Sequence, residues 1–276
     1  MRVGVTLPQF RHDAEAGIAV ARRAERGGID GVFVFDHLWP LGQRMRPALH
    51  SLTLLGALAA ETDRVAMGPL VARVGLMPDA VLVHTLVSLH RMLGDRLIAA
   101  LGTGDSLNRE ENEAYGVPFR PAAERLASLE TCCRQLRAAG VETWVGGRSA
   151  AVRHAAGEAD GWNSWGTDVG TFAAEAATVA PGRTLTWAGQ VLIARNGAEA
   201  AAKLRAHGAR PGLISGTVDD LVRHLASLAE VGASWAICAP LDIGTDPQAI
   251  ELLAAAADQL TPAGQGPPPA RGGRGA

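Results

Sequence analysis

An aspartate and a histidine stand side by side at Asp36 and His37, two residues before Trp39. Histidine titrates near neutral pH, so His37 in a strand-end loop suits a general base, with Asp36 as a second catalytic group. The alternative is a loop histidine satisfied by local hydrogen bonds. A second cluster is the run GTGDSLN at 102–108. Its glycines, Gly104 included, let a ligand approach the backbone, while Thr103, Asp105 and Asn108 offer a hydroxyl, a carboxylate and an amide; an ordinary turn is the competing reading. A third is Gly146-Gly147-Arg148-Ser149. Glycines before a helix start bare the N–H groups that attract phosphate, and Arg148 adds charge; equally, this is a strand-to-helix turn with Ser149 as N-cap.

Trp162 and Trp165 are large and amphipathic, fit to wall a substrate pocket together with Trp39 or to fill a core. Arg44 and Arg46 lie in a polar loop, where they are solvated or meet an anionic group. His84 and His90 do not share one helical face. Neither HExxH nor GxSxG occurs, so no metal site and no serine hydrolase is expected.

These clusters all follow short β-branched runs, and the runs alternate with longer Ala-rich amphipathic ones. Strands are expected at 3–7, 31–35, 65–71, 97–101, 143–145, 161–164, 186–193 and 234–239. Helices are expected at 13–26, from 47, at 80–93, 121–139, from 149 to before 160, at 198–207, from 217 to 231 and at 247–260. Thr217 with Asp220 three residues on reads as a capping box. Repeated βα units make a parallel sheet. Eight of them favour a (β/α)₈ TIM barrel, an α/β fold, as a single domain over 1–260, followed by a disordered Pro/Gly-rich tail at 261–276. In such a barrel catalytic groups gather at the C-terminal strand ends, where all three clusters fall.

Lys and Arg number 26 against 28 Asp and Glu, a formal charge of −2, which argues against a nucleic-acid partner. The cysteines, Cys132, Cys133 and Cys238, form no CxxC and are odd in number. A reduced cytoplasm is the expected setting. MRVGVTLPQF lacks a signal-peptide apolar core, and no apolar run reaches membrane length.

The order and spacing of several segments resemble the luciferase-like monooxygenase superfamily. They are VGVTLPQF, AERGGIDGVFVFDHLW, VAMGPLVARVGLMPDAVLVHTLVSLHRMLGDRLIAALGTGD, EAYGVPFRPAAERLASLE, WVGGRSAAVRHAAGEADGWN and ISGTVDDLVRHLASLAEVGASWAICAP. The resemblance implies a (β/α)₈ barrel. GTGDSLN is similar to the GTGEALN of deazaflavin-dependent sugar-phosphate dehydrogenases, which points to coenzyme F420 and an oxidoreductase passing a hydride to or from a small organic substrate. The alternatives are an FMN-dependent monooxygenase or a non-catalytic cofactor-binding relative. The resemblance assigns proton work to Asp36 and His37. It lays Val71 and Ala72 beneath the cofactor ring, beside a non-prolyl cis peptide, and places Thr103, Gly104, Asp105 and Asn108 around the ring and reacting centre. It gives the cofactor phosphate to Gly146, Gly147 and Ser149, with Arg148 beside them, and implies a homodimer. Three departures stand out: Asp105 replaces a glutamate, Trp39 lies closer to His37 than the family's aromatic, and Leu76-Met77-Pro78 replaces Arg-His-Pro.

Overall fold

The computed structural model describes residues 1–246 and 248–260. The expected tail at 261–276 lies outside the described residues.

Strands β1 (Arg2–Thr6), β2 (Gly31–Val34), β3 (Ala66–Pro69), β4 (Ala72–Arg73), β5 (Ile98–Gly102), β6 (Glu142–Gly146), β7 (Gly161–Trp165), β8 (Thr184–Ala194), β9 (Ile214–Thr217) and β10 (Trp235–Pro240) form one sheet. Its order is β3-β2-β1-β10-β8-β7-β6-β5-β4, with β9 paired to β8, and every pairing is parallel. β3 and β4 are two halves of one staggered wall strand, broken at the cis peptide between Leu70 and Val71. A parallel bridge from Met67 to Leu97 joins the ends of the sheet. The result is a (β/α)₈ barrel. The sequence reading of eight wall strands holds, with corrections: the third is interrupted, and the short strand β9 was not foreseen. β9 is only four residues long and contains Gly216, too little apolar alternation to stand out.

Helices α1 (Glu15–Arg26), α2 (Ser51–Ala59), α3 (Asp79–Leu93), α4 (Arg109–Ala114), α5 (Ala122–Ala138), α6 (Ala150–Ala155), α7 (Val169–Ala176), α8 (Gly197–His207), α9 (Val218–Glu230) and α10 (Ala249–Leu260) complete the units. α2 starts at Ser51 rather than 47, and α4 and α7 were not expected from the sequence; each of the two is at most eight residues, near the length where periodicity loses force. The Thr217–Asp220 capping box forms as read, opening α9.

Alternation along each strand sends one set of side chains outward under the helices and the other into the lumen. The outer layer carries most of the aliphatic core, from Val3 and Val5 to Leu253. The lumen is filled by Phe33, Leu70, Ile98, Ala100, Trp144, Ala188, Trp235 and Ile237. Phe33, Trp144 and Trp235 meet with centroids 5.6–6.1 Å apart. This aromatic plug makes the barrel a packed core, and its upper surface is the floor of the mouth. At the closing seam Gly68 lies against β5: a Cβ there would overlap the Ile98 carbonyl oxygen. Gly68→Ala is therefore expected to cost at least about 1–3 kcal/mol as an overpacked backbone contact. Urea unfolding followed by tryptophan fluorescence checks this, and an unchanged midpoint would show the seam to be pliable.

Among the described residues no helix is long and apolar enough to cross a membrane, and no group of three or more His, Cys, Asp or Glu is arranged to hold a metal ion.

Candidate functional site

The centre of the mouth is a carboxylate that sequence reading passed over. Glu111, on the short helix α4, is buried to 1% exposure. Its Oε2 lies 3.1 Å from His37 Nδ1 and 2.9 Å from Arg73 Nη1. Its Oε1 accepts the backbone N–H of Leu38 at 2.5 Å and of Trp39 at 3.3 Å. Asn108 Nδ2 adds a longer bond of 3.4 Å to Oε2. Burial opposes ionisation of this carboxyl, but the His37 hydrogen bond, the Arg73 charge and the Leu38 N–H outweigh it and hold Glu111 below its ordinary range.

The sign of the pH effect follows. A depressed folded pKa gives stability that is complete above the unfolded value of 4.5 and lost as pH falls through the folded one. Thermal stability of the wild-type chain is expected to drop more steeply below that pH than that of Glu111→Gln; parallel acid limbs would remove Glu111 from the balance.

Asp36 and His37, adjacent in sequence, do not form a pair. Asp36 accepts Ser51 Oγ at 2.7 Å and the Arg73 backbone N–H at 2.7 Å, while its carbonyl takes Arg73 Nε at 3.0 Å. It is buried and fully engaged in anchoring β4 to β2. This corrects the expectation of Asp36 as a proton-transfer group: it positions the loop, and the carboxylate facing His37 comes from 74 residues away. His37 keeps 22% side-chain exposure, so its other edge is reachable.

Arg73 is the second residue missed. It is 5% exposed and reaches Glu111 and Asn112, the latter at 3.3 Å. Its Nη2 is buried without a partner. An orphaned guanidinium N–H is costly unless something accepts it.

The GTGDSLN run folds as a cap. Asp105 accepts Leu107 N–H at 2.9 Å, and Asn108 Oδ1 accepts Asp105 N–H at 2.9 Å, closing a capping box over the 3₁₀ turn at Ser106–Asn108. Asp105 is exposed and committed to this turn, and Asn108 is buried with both amide ends used. Asp105 and Asn108 thus build the turn that carries Glu111. Gly104 has φ +64°, and a Cβ there would press on Asn108 Oδ1 and Arg73 Cδ. Thr103 turns its hydroxyl to the Gly104 carbonyl, while its own carbonyl takes Arg125 Nε at 2.9 Å.

Val71 follows the cis peptide and projects between the ends of β5 and β6; a Cβ on Gly102 or Gly146 would run into its methyls. Ala72 is buried beside it. Gly146 and Gly147 end β6 as expected, but Gly147 N–H donates to the Asn163 carbonyl at 3.2 Å, so it is not free for a phosphate. Arg148 is ion-paired to Glu175 at 2.9 Å. Ser149 caps α6 by accepting Val152 N–H at 3.3 Å. Gly147 N–H and Arg148 thus both have local partners within the chain.

The tryptophans separate. Trp162 is fully buried under Phe172, outside the barrel wall, with its N–H on the Gly147 carbonyl at 2.8 Å, so it cannot wall a pocket. Trp165, three residues on, faces the other way and is 37% exposed at the mouth. Trp39 is buried, stacked on Tyr115 at 5.9 Å, with the Arg44 guanidinium over its ring at 5.7 Å. It roofs the Glu111 side of the site. A cavity of about 410 Å³ opens between Gly75–Asp79 and Gly116–Pro118 with Arg120.

The profile of the luciferase-like monooxygenases matches residues 1–140. The F420-dependent glucose-6-phosphate dehydrogenase of Nakamurella multipartita is 34% identical over 141 residues, covering 51% of this chain and 39% of that protein. The chain thus spans about two fifths of the length of the curated relatives it matches. An F420-dependent secondary alcohol dehydrogenase, solved with an F420-acetone adduct, superposes with a TM-score of 0.75 at 14% identity, covering 92% of this chain and 97% of that one. The F420-dependent tetrahydromethanopterin reductase from Methanopyrus kandleri gives 0.73 at 14% identity, covering 94% and 97%. At these identities the structural likeness is one of fold.

Proposed function

We propose, from the premise that this chain belongs to the luciferase-like monooxygenase family, that it is an F420-dependent oxidoreductase exchanging a hydride with a small organic substrate. The observation that carries the reading is the His37–Glu111–Arg73 assembly at the C-terminal mouth of the barrel. The catalytic face of such barrels is this one.

The residues fit a flat coenzyme rich in hydrogen-bond acceptors. Gly102 and Gly146 make room for the Val71 methyls at the strand ends, and Arg73 Nη2 is a buried donor in want of an acceptor. Val71 and Ala72 would support the ring; Thr103, Gly104 and Arg73 would line its edge; Gly146 and Ser149 lie at the next strand end. Bound F420 supplies the carbon that gives or takes the hydride.

The chain's own part is the proton. Ionised Glu111 is an acceptor only, so His37 Nδ1 carries the hydrogen between them; in the neutral ring this leaves the Nε2 lone pair free. His37 is therefore a base whose tautomer is set by Glu111, poised to take or return a substrate hydroxyl proton. The His37 hydrogen bond and the Arg73 charge keep Glu111 ionised, and Trp39, buried against Tyr115, donates its backbone N–H to the same carboxylate. Three buried, unpaired cysteines, with thiols pushed up by burial to about 11 at Cys132 and about 12 at Cys133 and Cys238, suit a reduced cytoplasm. The near-neutral charge suits a small-molecule partner, and a homodimer goes with the family resemblance.

The test is turnover: anaerobic bleaching of F420 with an alcohol panel, against oxygen uptake with reduced FMN. F420 bleaching without FMN-driven uptake is expected; the reverse would make the chain a monooxygenase.

A further inference from the structure

The upper lumen pairs side chains from opposite walls. In the sheet order β2 and β7 are separated by β1, β10 and β8 on one side and by β3/β4, β5 and β6 on the other. Yet Phe35, just past the end of β2, meets Trp165 at the end of β7 edge-to-face, with centroids 5.5 Å apart. That contact spans the lumen. Phe10, after β1, stacks on the far side of Phe35 at 6.1 Å and 4°. The three rings lie above the Phe33–Trp144–Trp235 plug, and Trp165 presents its open part to the mouth.

The charges of this face are arranged differently from what a phosphate needs. Lys203 is held by Asp242 at 2.7 Å and Asp246 at 2.6 Å, besides the Ile193 carbonyl. Arg148 is held by Glu175 and Arg73 by Glu111. Arg11 gives its guanidinium to the Gly244 carbonyl. Arg44, Arg46 and Arg210 sit on exposed loops, where an ion pair contributes little. A phosphomonoester entering the mouth would lose its hydration and find Lys203, Arg148 and Arg73 already holding carboxylates, while Arg11 and Arg125 donate to backbone carbonyls. An apolar ring would meet Trp165 and Phe35.

We infer that the substrate site takes an uncharged alcohol or carbonyl compound with an apolar, ring-bearing body, in contrast to a sugar phosphate. This deepens the F420 reading and rests on it for the chemistry. In the oxidising direction the carbinol C–H bond yields its electron pair as hydride to the oxidised coenzyme. The hydroxyl proton goes to His37, and the C–O bond becomes a carbonyl. The Trp165 wall supplies binding energy to the ring, and its loss is read as weaker binding.

Calorimetry with 1-phenylethanol and with glucose 6-phosphate tests this, on F420-loaded and coenzyme-free protein, for the wild type, Trp165→Ala and Trp165→Phe. Loading is followed separately by retained coenzyme absorbance. Expected are saturable binding of 1-phenylethanol, a loss of about tenfold in Trp165→Ala and near-retention in Trp165→Phe, with glucose 6-phosphate binding more weakly than the alcohol. Glucose 6-phosphate binding as tightly as the alcohol, an unchanged Trp165→Ala, or no saturable alcohol binding would each overturn the inference. Failure to load F420 would overturn the coenzyme assignment instead, while the coenzyme-free titrations still decide the aromatic wall.

Discussion

Glu111→Ala is expected to destabilise the chain by about 3–5 kcal/mol, the usual cost of removing one partner from a buried ion pair. The reason is local. Arg73 is 5% exposed, and one of its terminal nitrogens already lacks a partner; removing Glu111 strips its ion-pair partner among the described residues. The N–H groups of Leu38 and Trp39 lose their acceptor in the same step. Glu111→Gln keeps the shape and a carbonyl oxygen for those donors, but removes the charge that Arg73 faces, so a smaller loss is expected. Urea unfolding of the three proteins checks the order. A cost below about 1 kcal/mol for the alanine variant would place Glu111 outside the core of the site.

His37→Ala is expected to lower kcat about 10²–10⁴-fold, the range of a positioned general acid or base, with coenzyme affinity and stability near wild type. His37 is partly exposed and touches the fold chiefly through Glu111, so its removal leaves Glu111 bound to Arg73 and to the loop amides. Glu111→Gln then separates two roles. A structural Glu111 would change unfolding alone. A tautomer-setting Glu111 also changes the nitrogen NMR signature of the His37 ring, from a single protonated Nδ1 to a mixture, and lowers kcat more than it raises KM. An unaltered ring signature would make Glu111 merely structural.

The barrel was legible because its evidence is repeated: apolar alternation returns eight times, and each return supports the others. The chemical clusters were legible as places, since strand ends are visible in the pattern. Their wiring was not. Asp36 and His37 were both read as catalytic because they stand together at a strand end, but consecutive residues there point in different directions, and each found a distant partner. Glu111 sits in the charged run REENEA, too short and too polar for its pattern to announce a buried side chain. Arg73 hides in the apolar VARVG, where an arginine gives no sign of which carboxylate it will meet. Parity alone separated Trp162 from Trp165: three residues apart on a strand, they face opposite sides, so only one of them can look into the mouth. Arg148 and Gly147 show the same limit, since Glu175 and the Asn163 carbonyl that occupy them come from later elements.

The chemistry of the mouth depends on which coenzyme binds there. Equilibrium titration of the purified chain with oxidised F420 and, separately, with FMN, followed by ligand fluorescence, addresses it directly. Saturable F420 binding that is weakened in Arg73→Leu, with FMN binding at least tenfold weaker (about 1.4 kcal/mol), is the predicted result. Tight FMN binding with no measurable affinity for F420 would contradict it.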